Sequence, residues 1–300
     1  MSLAAAGTEG PGAEIDASVS RYETQRFRAV GFDFTISLND CDLGRFLDEA
    51  WAPMAVPGTP THRYAVLDRG PGAHRRFWLL FDGVRYTETD RPSNALRMLS
   101  WHVNGQVVAH RGDRLVLHAA AAEHEGRALL IPAEMESGKT TLVAGLTRAG
   151  LRYLTDEAVA IEPSAILVHP YAKPLSVDPG SWEVLGALRP KLPKGLDPYL
   201  ATQWQVPASS IRPDAVGRAC PPAWIVTTCY QPGAATELTP LSPSEAVIAV
   251  ARNTFHFAED PRRHLPTIAS VVAQCERYSL VVGDLDRACD LVLDLVTKET

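Results

Sequence analysis

The fold of this 300-residue chain is decided by the stretch Ala133-Glu134-Met135-Glu136-Ser137-Gly138-Lys139-Thr140. It has the form A-x-x-x-x-G-K-T, a Walker A pattern with alanine in the place of the first glycine. The apolar residues 128–131 before it predict a strand, and Lys139 predicts the start of a helix. A turn between a strand and a helix lets backbone N–H groups converge on phosphate oxygens, at the positive end of the helix dipole. The stretch therefore predicts a nucleoside triphosphate site.

The residue types in this loop indicate ATP and Mg²⁺ as the cofactors. Lys139 can reach the β- and γ-phosphates, and the hydroxyl of Thr140 can ligate Mg²⁺. Two acids, Glu134 and Glu136, are repelled by phosphate, which predicts weakened rather than abolished binding. Glu136 is the more awkward of the two if its position needs a positive φ. The predicted nucleotide-binding residues are Ala133, Glu134, Met135, Glu136, Ser137, Gly138, Lys139, Thr140 and Thr141.

Three further residues are candidates for the chemistry. Asp156 follows the next predicted strand, where a carboxylate would face the phosphates as a Mg²⁺ ligand or as a base towards an attacking hydroxyl. Glu157 comes next, and strand alternation points it to the other face unless the backbone turns there. His118 ends the apolar strand before the loop, and histidines in such strands are mostly structural.

The region before residue 110 has a different pattern. Alternating apolar residues at 30–38 predict a half-buried strand, and residues 63–68 and 76–86 predict further strands, the latter broken by a hairpin at Asp82-Gly83. A helix is predicted from Pro92. We therefore expect a small α+β region with an antiparallel sheet over residues 26–110, after a disordered tail at 1–25.

From residue 111 to residue 300 the pattern is that of an α/β domain. Strands are predicted at 115–119, 127–131 and 151–154, with a helix from Lys139 that ends at Gly150. The Pro-rich residues 186–222 predict a long excursion of loops. The remaining predicted elements are a strand at 223–229, helices at 243–252 and 264–277, a strand at 278–282 and a last helix from Asp284.

The composition limits the partners. Net charge is −6, with 46% hydrophobic and 21% charged residues, which is typical of a globular protein with no nucleic-acid or membrane partner. Five cysteines form no C-x-x-C pair, which predicts free thiols in a reducing compartment. Residues 1–25 do not have the pattern of a signal peptide. We expect a cytoplasmic protein.

Three motifs occur in a characteristic order at short spacing: Leu117-His118-Ala119-Ala120, the loop at 133–140, and Leu154-Thr155-Asp156-Glu157-Ala158-Val159. Together they resemble the catalytic domain of HPr kinase/phosphorylase and its diverged HprK-like relatives. That fold is related to the P-loop nucleotide-binding half of phosphoenolpyruvate carboxykinase. The resemblance covers about residues 112–170.

The resemblance implies a kinase that transfers phosphate from ATP to a serine-type hydroxyl. It implies that Asp156 is the base towards the acceptor, that Glu157 assists with the metal, and that His118 orients or tunes the base. The acceptor would be a peptide, a protein or a small hydroxyl compound, and HprK-like relatives assemble, so a homo-oligomer is expected to be possible. The segment typical of true HPr kinases is absent after Val168, which argues against HPr as the acceptor.

The departures from the family pattern keep a second hypothesis open. Ala133 and Glu136 replace loop glycines, and Glu157 replaces an aspartate. These changes favour a catalytically degenerate nucleotide-binding switch or scaffold. A transport ATPase subunit is disfavoured because no L-S-G-G-Q string occurs. Lys173 and Arg252 are further cations that phosphate could use, but we expect each to be a solvated surface charge.

Overall fold

The computed structural model describes residues 20–70 and 75–298. It is a mixed α/β structure with a six-stranded, an eight-stranded and a two-stranded sheet and seven α-helices within those ranges. Most of the predicted tail lies outside the described residues. Its last part differs from the prediction, because Tyr22–Glu23 is a strand that pairs with residues 37–38.

The first sheet and its helices are formed by residues 22–109. The elements are β1 (Tyr22–Glu23), β2 (Phe27–Ala29), β3 (Phe32–Leu38), α1 (Cys41–Ala50), β4 (His62–Arg69), β5 (Arg76–Phe81), β6 (Val84–Thr89) and α2 (Pro92–Ala109). The strand order is β1-β3-β4-β5-β6, and β2 also pairs with β3. The hairpin between β5 and β6 turns through Asp82 (φ 46°) and Gly83 (φ 83°), as its sequence predicts.

The predicted antiparallel arrangement of this sheet is wrong in one place, because β3 and β4 are parallel. A parallel pair needs a crossover, and α1, which we did not predict, provides it. Its N-cap is Asp40, whose carboxylate accepts from the backbone N–H groups of Asp42 and Leu43. Strand β3 is also more buried than predicted, since six of its seven residues are buried.

The second half of the chain forms the other two sheets. The elements are β7 (Leu115–His124), β8 (Arg127–Pro132), α3 (Lys139–Arg148), β9 (Arg152–Thr155), β10 (Ala158–Glu162), β11 (Leu167–His169), β12 (Leu175–Val177), β13 (Trp204–Val206), α4 (Ala208–Ile211), β14 (Pro222–Tyr230), β15 (Glu237–Pro240), α5 (Pro243–Arg252), α6 (Pro261–Gln274), β16 (Glu276–Val282) and α7 (Leu285–Thr297). Strand β15 was not predicted. The predicted loop excursion at 186–222 is confirmed only in part, because it contains the short elements β13 and α4 as well as 3-10 turns.

The large sheet has the order β11-β10-β7-β8-β14-β16-β15, with β9 also paired to β7. Strand β8 is parallel to β14, and β14 is parallel to β16, so their carboxyl ends share one edge of the sheet. The other pairings in this sheet are antiparallel. The carboxyl edge of a parallel set is where α/β folds place their ligands.

The two halves are joined through buried contacts. One apolar cluster contains core residues from both, Phe34 and Leu96 from the first half and Leu129 and Val143 from the second. The hydroxyl of Tyr171 also donates to Oδ1 of Asn104 on α2, at 2.6 Å. In the part of the chain that the structure describes, none of the helices combines the length and apolar character needed to span a bilayer.

Candidate functional site

The loop that begins at residue 133 and the Asp156-Glu157 motif lie on opposite sides of β7, and both adjoin Ala119. On one side Ala119 pairs with Pro132, the last residue of β8, so the 133–138 loop begins there. On the other side the backbone N–H of Ala119 donates to the carbonyl oxygen of Glu157 at 3.3 Å. Asp156 follows β9, the strand after α3, as predicted. That strand pairs with β7 and not with β8, so β7 lies between the loop and the carboxylates.

The loop between β8 and α3 contains two residues with positive φ. Glu136 (φ 62°) and Gly138 (φ 88°) both adopt left-handed conformations. Left-handed residues alternating with right-handed ones turn successive N–H groups towards a common point. No side chain caps the N-terminus of α3, so its first N–H groups have no side-chain acceptor. Glu136 therefore does have the positive φ that we considered unfavourable for a glutamate.

Lys139 is held inside this loop. Its ammonium donates to the carbonyl oxygen of Ala133 at 2.7 Å and to that of Glu134. The residue is 6% exposed, and burial lowers the pKa of its ammonium to about 8. A phosphate oxygen bound at the loop would compete with these two carbonyls for the ammonium.

Asp156 is the most constrained of the predicted residues. Its Oδ1 accepts from the hydroxyl of Tyr153 at 2.8 Å and pairs with Nζ of Lys173 at 2.7 Å. Its Oδ2 accepts from the backbone N–H of Ser176 at 3.0 Å and lies 3.4 Å from Oγ1 of Thr140. The side chain is 1% exposed. A carboxylate can accept about four hydrogen bonds. The contacts of Asp156 therefore take up nearly all of its acceptor positions.

The expectation that Lys173 is a solvated surface charge is wrong. Its side chain is 1% exposed, and besides Asp156 it contacts Oγ of Ser176 at 3.2 Å. One signal could have found it. The chain has only five lysines, and this one lies in the apolar, Pro-flanked run 170–175, where an unpaired charge would be costly. Arg252, by contrast, is exposed at the end of α5.

Glu157 faces the site because the backbone bends at residues 156–157, between β9 and β10. Its Oε1 lies 3.6 Å from Nδ1 of His118, and its side chain is 31% exposed. Burial raises the pKa of Glu157. Burial, and then the charge of Lys139, lowers the pKa of His118 to about 4, so this imidazole is neutral near pH 7. His118 therefore lies against Glu157 and not against the predicted base.

Thr140 and Asp156 are the two residues that would hold a Mg²⁺ ion, because their side-chain oxygens lie next to each other. In the described ranges no group of three or more His, Cys, Asp or Glu side chains is placed to hold a metal. Mg²⁺ bound with a nucleotide needs only one or two protein ligands, the rest being phosphate oxygens and water. Adjacent oxygens in its octahedral shell are about 3 Å apart, which is close to the 3.4 Å between Thr140 Oγ1 and Asp156 Oδ2.

A cavity of about 390 Å³ is lined by Trp182 and Trp204, and Trp204 lies on the strand that pairs with β12. Strand β12, which supplies Ser176 to Asp156, pairs Val177 with Trp204 of β13. The indole of Trp204 stacks on that of Trp182, with centroids 4.9 Å apart and planes 3° apart. The lining also includes Arg189, Pro190, Asp197, Pro198, Leu200 and Ala201. Next to Trp182, Ser181 contacts the hydroxyl of Thr141 on α3.

Comparison with solved structures gives distant matches. The chain is similar to the Hpr(Ser) kinase/phosphatase from Coxiella burnetii, with 14% identity over 60% of this chain and 93% of that chain and a TM-score of 0.31. At this TM-score the structural similarity is distant and does not indicate which residues act. No family model matches the chain, and no curated protein matches it.

Proposed function

We propose that this chain binds a nucleoside triphosphate with Mg²⁺ on the 133–141 loop and transfers its γ-phosphoryl group to a hydroxyl acceptor. One observation supports this most directly. The Lys139 ammonium and the Thr140 hydroxyl belong to the first turn of α3, and a buried carboxylate, that of Asp156, lies 3.4 Å from that hydroxyl. Phosphoryl transfer needs this set: a nest of N–H groups, a cation, a metal-binding oxygen pair and a carboxylate.

The residues have distinct tasks in this reaction. The loop N–H groups and Lys139 hold the β- and γ-phosphates, so that the ammonium exchanges carbonyl partners for phosphate oxygens. Thr140 and Asp156 hold Mg²⁺, which when bound neutralises charge developing on the phosphates. The acceptor oxygen forms a bond to the γ-phosphorus as the bond to the β-phosphate oxygen breaks, and the acceptor proton passes to a carboxylate.

The geometry favours exchanging the two carboxylate roles that the family resemblance implies. A general base must be reachable by the acceptor hydroxyl. Asp156 is 1% exposed and its Oδ2 lies beside the Thr140 hydroxyl, whereas Glu157 is 31% exposed and its carboxylate accepts no hydrogen bond from a described residue. We therefore assign the metal to Asp156 and the proton to Glu157, whose raised pKa suits a base. The neutral His118 positions Glu157.

The acceptor would approach from the carboxylate side. The cavity residue Trp204 pairs with Val177, the neighbour of the Ser176 that contacts Asp156. The volume of the cavity suits a side chain or a small molecule rather than a folded domain. This agrees with a peptide, exposed protein segment or small hydroxyl compound as the acceptor. Ser181, next to the lining residue Trp182, also contacts Thr141 on α3, so the cavity wall adjoins the proposed nucleotide site.

Calorimetric titration with Mg·ATP tests the proposal. We expect micromolar binding by the wild type and its loss in Lys139→Ala, because the variant removes the phosphate-binding cation. Lys298→Ala, an exposed lysine after α7, is the matched control and should bind as the wild type does. A thermal unfolding scan of each variant separates lost binding from lost folding. No binding by the wild type would contradict the proposal.

The alternative is a nucleotide-binding switch without turnover, and the loop favours it. Glu134 and Glu136 bring two charges of the wrong sign, and both are exposed at the loop. ADP release distinguishes the two functions. A kinase should release ADP with water as a slow acceptor and faster with a true acceptor, whereas a switch should bind Mg·ATP and release ADP at a rate that no acceptor changes.

A further inference from the structure

A nucleotide bound on the 133–141 loop would have its two ends on opposite sides of β8. The γ-phosphate end belongs with the carboxylates of the 156–157 bend, which lie beyond β7. On the opposite side β8 pairs with β14, and because the two strands are parallel their carboxyl ends open at the same edge. The nucleoside end of the ligand therefore points towards the end of β14.

That strand ends in an exposed aromatic side chain. Tyr230 is the last residue of β14 and is 52% exposed. It lies directly beside the loop, since a Cβ placed on Gly138 would be 3.5 Å from the Cβ of Tyr230. Within the described ranges its hydroxyl makes no hydrogen bond. The ring of Tyr230 is therefore neither buried in the apolar core nor held by a hydrogen bond of its hydroxyl.

The backbone that carries this ring is fixed. Tyr230 pairs with Val282 of β16, and the N–H of Gln231 donates to the carbonyl of Val282 at 2.9 Å. Further along the same turn, Oγ1 of Thr236 accepts from the N–H of Asp284 at 2.8 Å. A ring held on a rigid backbone loses little conformational freedom when it binds a ligand, which suits it to a stacking surface.

We propose that Tyr230 is the nucleobase platform of this site, its ring face stacking on the base of the nucleotide whose phosphates the loop binds. The inference rests on the proposed function, which supplies the phosphate site. Every base has a π-face, so stacking discriminates little between bases. The chain should therefore bind Mg·ATP and Mg·GTP with similar affinity. The ring face carries the interaction, and the hydroxyl is dispensable.

The test compares a ligand that has a base with one that lacks it. Mg·ATP and Mg²⁺ with inorganic triphosphate are titrated calorimetrically into the wild type, Tyr230→Ala and Tyr230→Phe. We expect Tyr230→Ala to weaken ATP binding about tenfold and to leave triphosphate binding unchanged. Tyr230→Phe should bind both as the wild type does. Trp101→Ala, which removes a 67% exposed aromatic on α2, is the matched control.

Each other outcome overturns the inference in a distinct way. Unchanged ATP binding in Tyr230→Ala would show that the ring does not contact the base. Equal weakening of ATP and triphosphate would show that Tyr230 acts through the loop backbone. If the wild type binds triphosphate and ATP equally well, no base platform exists although the phosphate site does. If the wild type binds neither ligand, the proposed function fails together with the inference.

Discussion

Nζ of Lys173 lies 2.7 Å from Oδ1 of Asp156, and both side chains are 1% exposed. This buried ion pair ties β12 to the 156–157 bend, together with the hydrogen bond from the backbone N–H of Ser176. It leaves the other carboxylate oxygen directed at Thr140. Lys173 is thus a positioning residue for the proposed metal ligand, and its effects can be measured on stability as well as on binding.

Lys173→Met should lower the free energy of unfolding by about 3–5 kcal/mol, because removing one partner leaves a buried charge unpaired. Lys173→Met combined with Asp156→Asn should recover part of this loss, since neither charge remains. Urea unfolding measures both. The control is Arg45→Met, which breaks an exposed pair with Asp42 and should cost less than about 1 kcal/mol. A Lys173 variant as stable as that control would contradict the prediction.

The two neighbouring carboxylates should separate in their effects on binding and turnover. Glu157→Gln should keep Mg·ATP affinity and lower ADP release with water as acceptor by about 10²–10⁴-fold, the usual contribution of a general base. Asp156→Asn should instead reduce the gain in ATP affinity that Mg²⁺ provides, measured by titration with and without the metal. The opposite pattern, with turnover lost in Asp156→Asn at unchanged Mg²⁺ dependence, would restore the assignment that the family resemblance implies.

A carboxylate far from this site should control part of the acid stability. Asp33 accepts from Nε of Arg26 at 2.8 Å, and this contact, with further hydrogen bonds from Thr61, lowers its pKa from 3.8 to about 2. A lowered carboxyl pKa contributes stability above pH 3.8 that is lost as the pH falls through 2. The size of the shift corresponds to about 2 kcal/mol.

Asp33→Asn should therefore be less stable than the wild type by about 2 kcal/mol at pH 7, and the difference should shrink as the pH falls below 4. Denaturant unfolding at pH 7, 5, 4 and 3 measures it. Asp42→Asn is the control, because that carboxylate is 56% exposed and has an exposed partner. A difference that stays constant down to pH 3 would show that the carboxylate charge contributes nothing.

The sequence predicted those elements whose signals are local. Strand β8, the loop and α3 follow each other directly, so their hydrophobic pattern and the Gly138-Lys139 pair are sufficient. The partner of Asp156 could not be predicted in this way. Lys173 reaches it only because β12 pairs with β13 and lies against the bend, which is a tertiary arrangement. The link between His118 and Asp156 was implied by the family resemblance, and the bend places the imidazole beside Glu157 instead.

The crossover between β3 and β4 was missed for a related reason. Helix α1 has only ten residues, and its start is marked by the single cap Asp40. Periodicity over so short a segment does not separate a helix from a loop. Without that helix an antiparallel sheet was the simplest arrangement, because antiparallel strands need only short turns. The parallel pairing follows once the crossover is recognised.

Glu136→Gly should strengthen Mg·ATP binding by a few-fold, for two physical reasons. The residue has φ 62°, which glycine adopts without the steric cost that a side chain brings, and the substitution removes a negative charge from the phosphate loop. Glu125→Gly separates these reasons, because Glu125 has φ 47° in the turn between β7 and β8, at the far end of β8 from the loop. Both variants should gain similar stability in urea unfolding, but only Glu136→Gly should gain affinity in calorimetric titration. A gain in affinity for both would show that the effect is not specific to the phosphate loop, and none for either would show that the Glu136 charge does not oppose the phosphates.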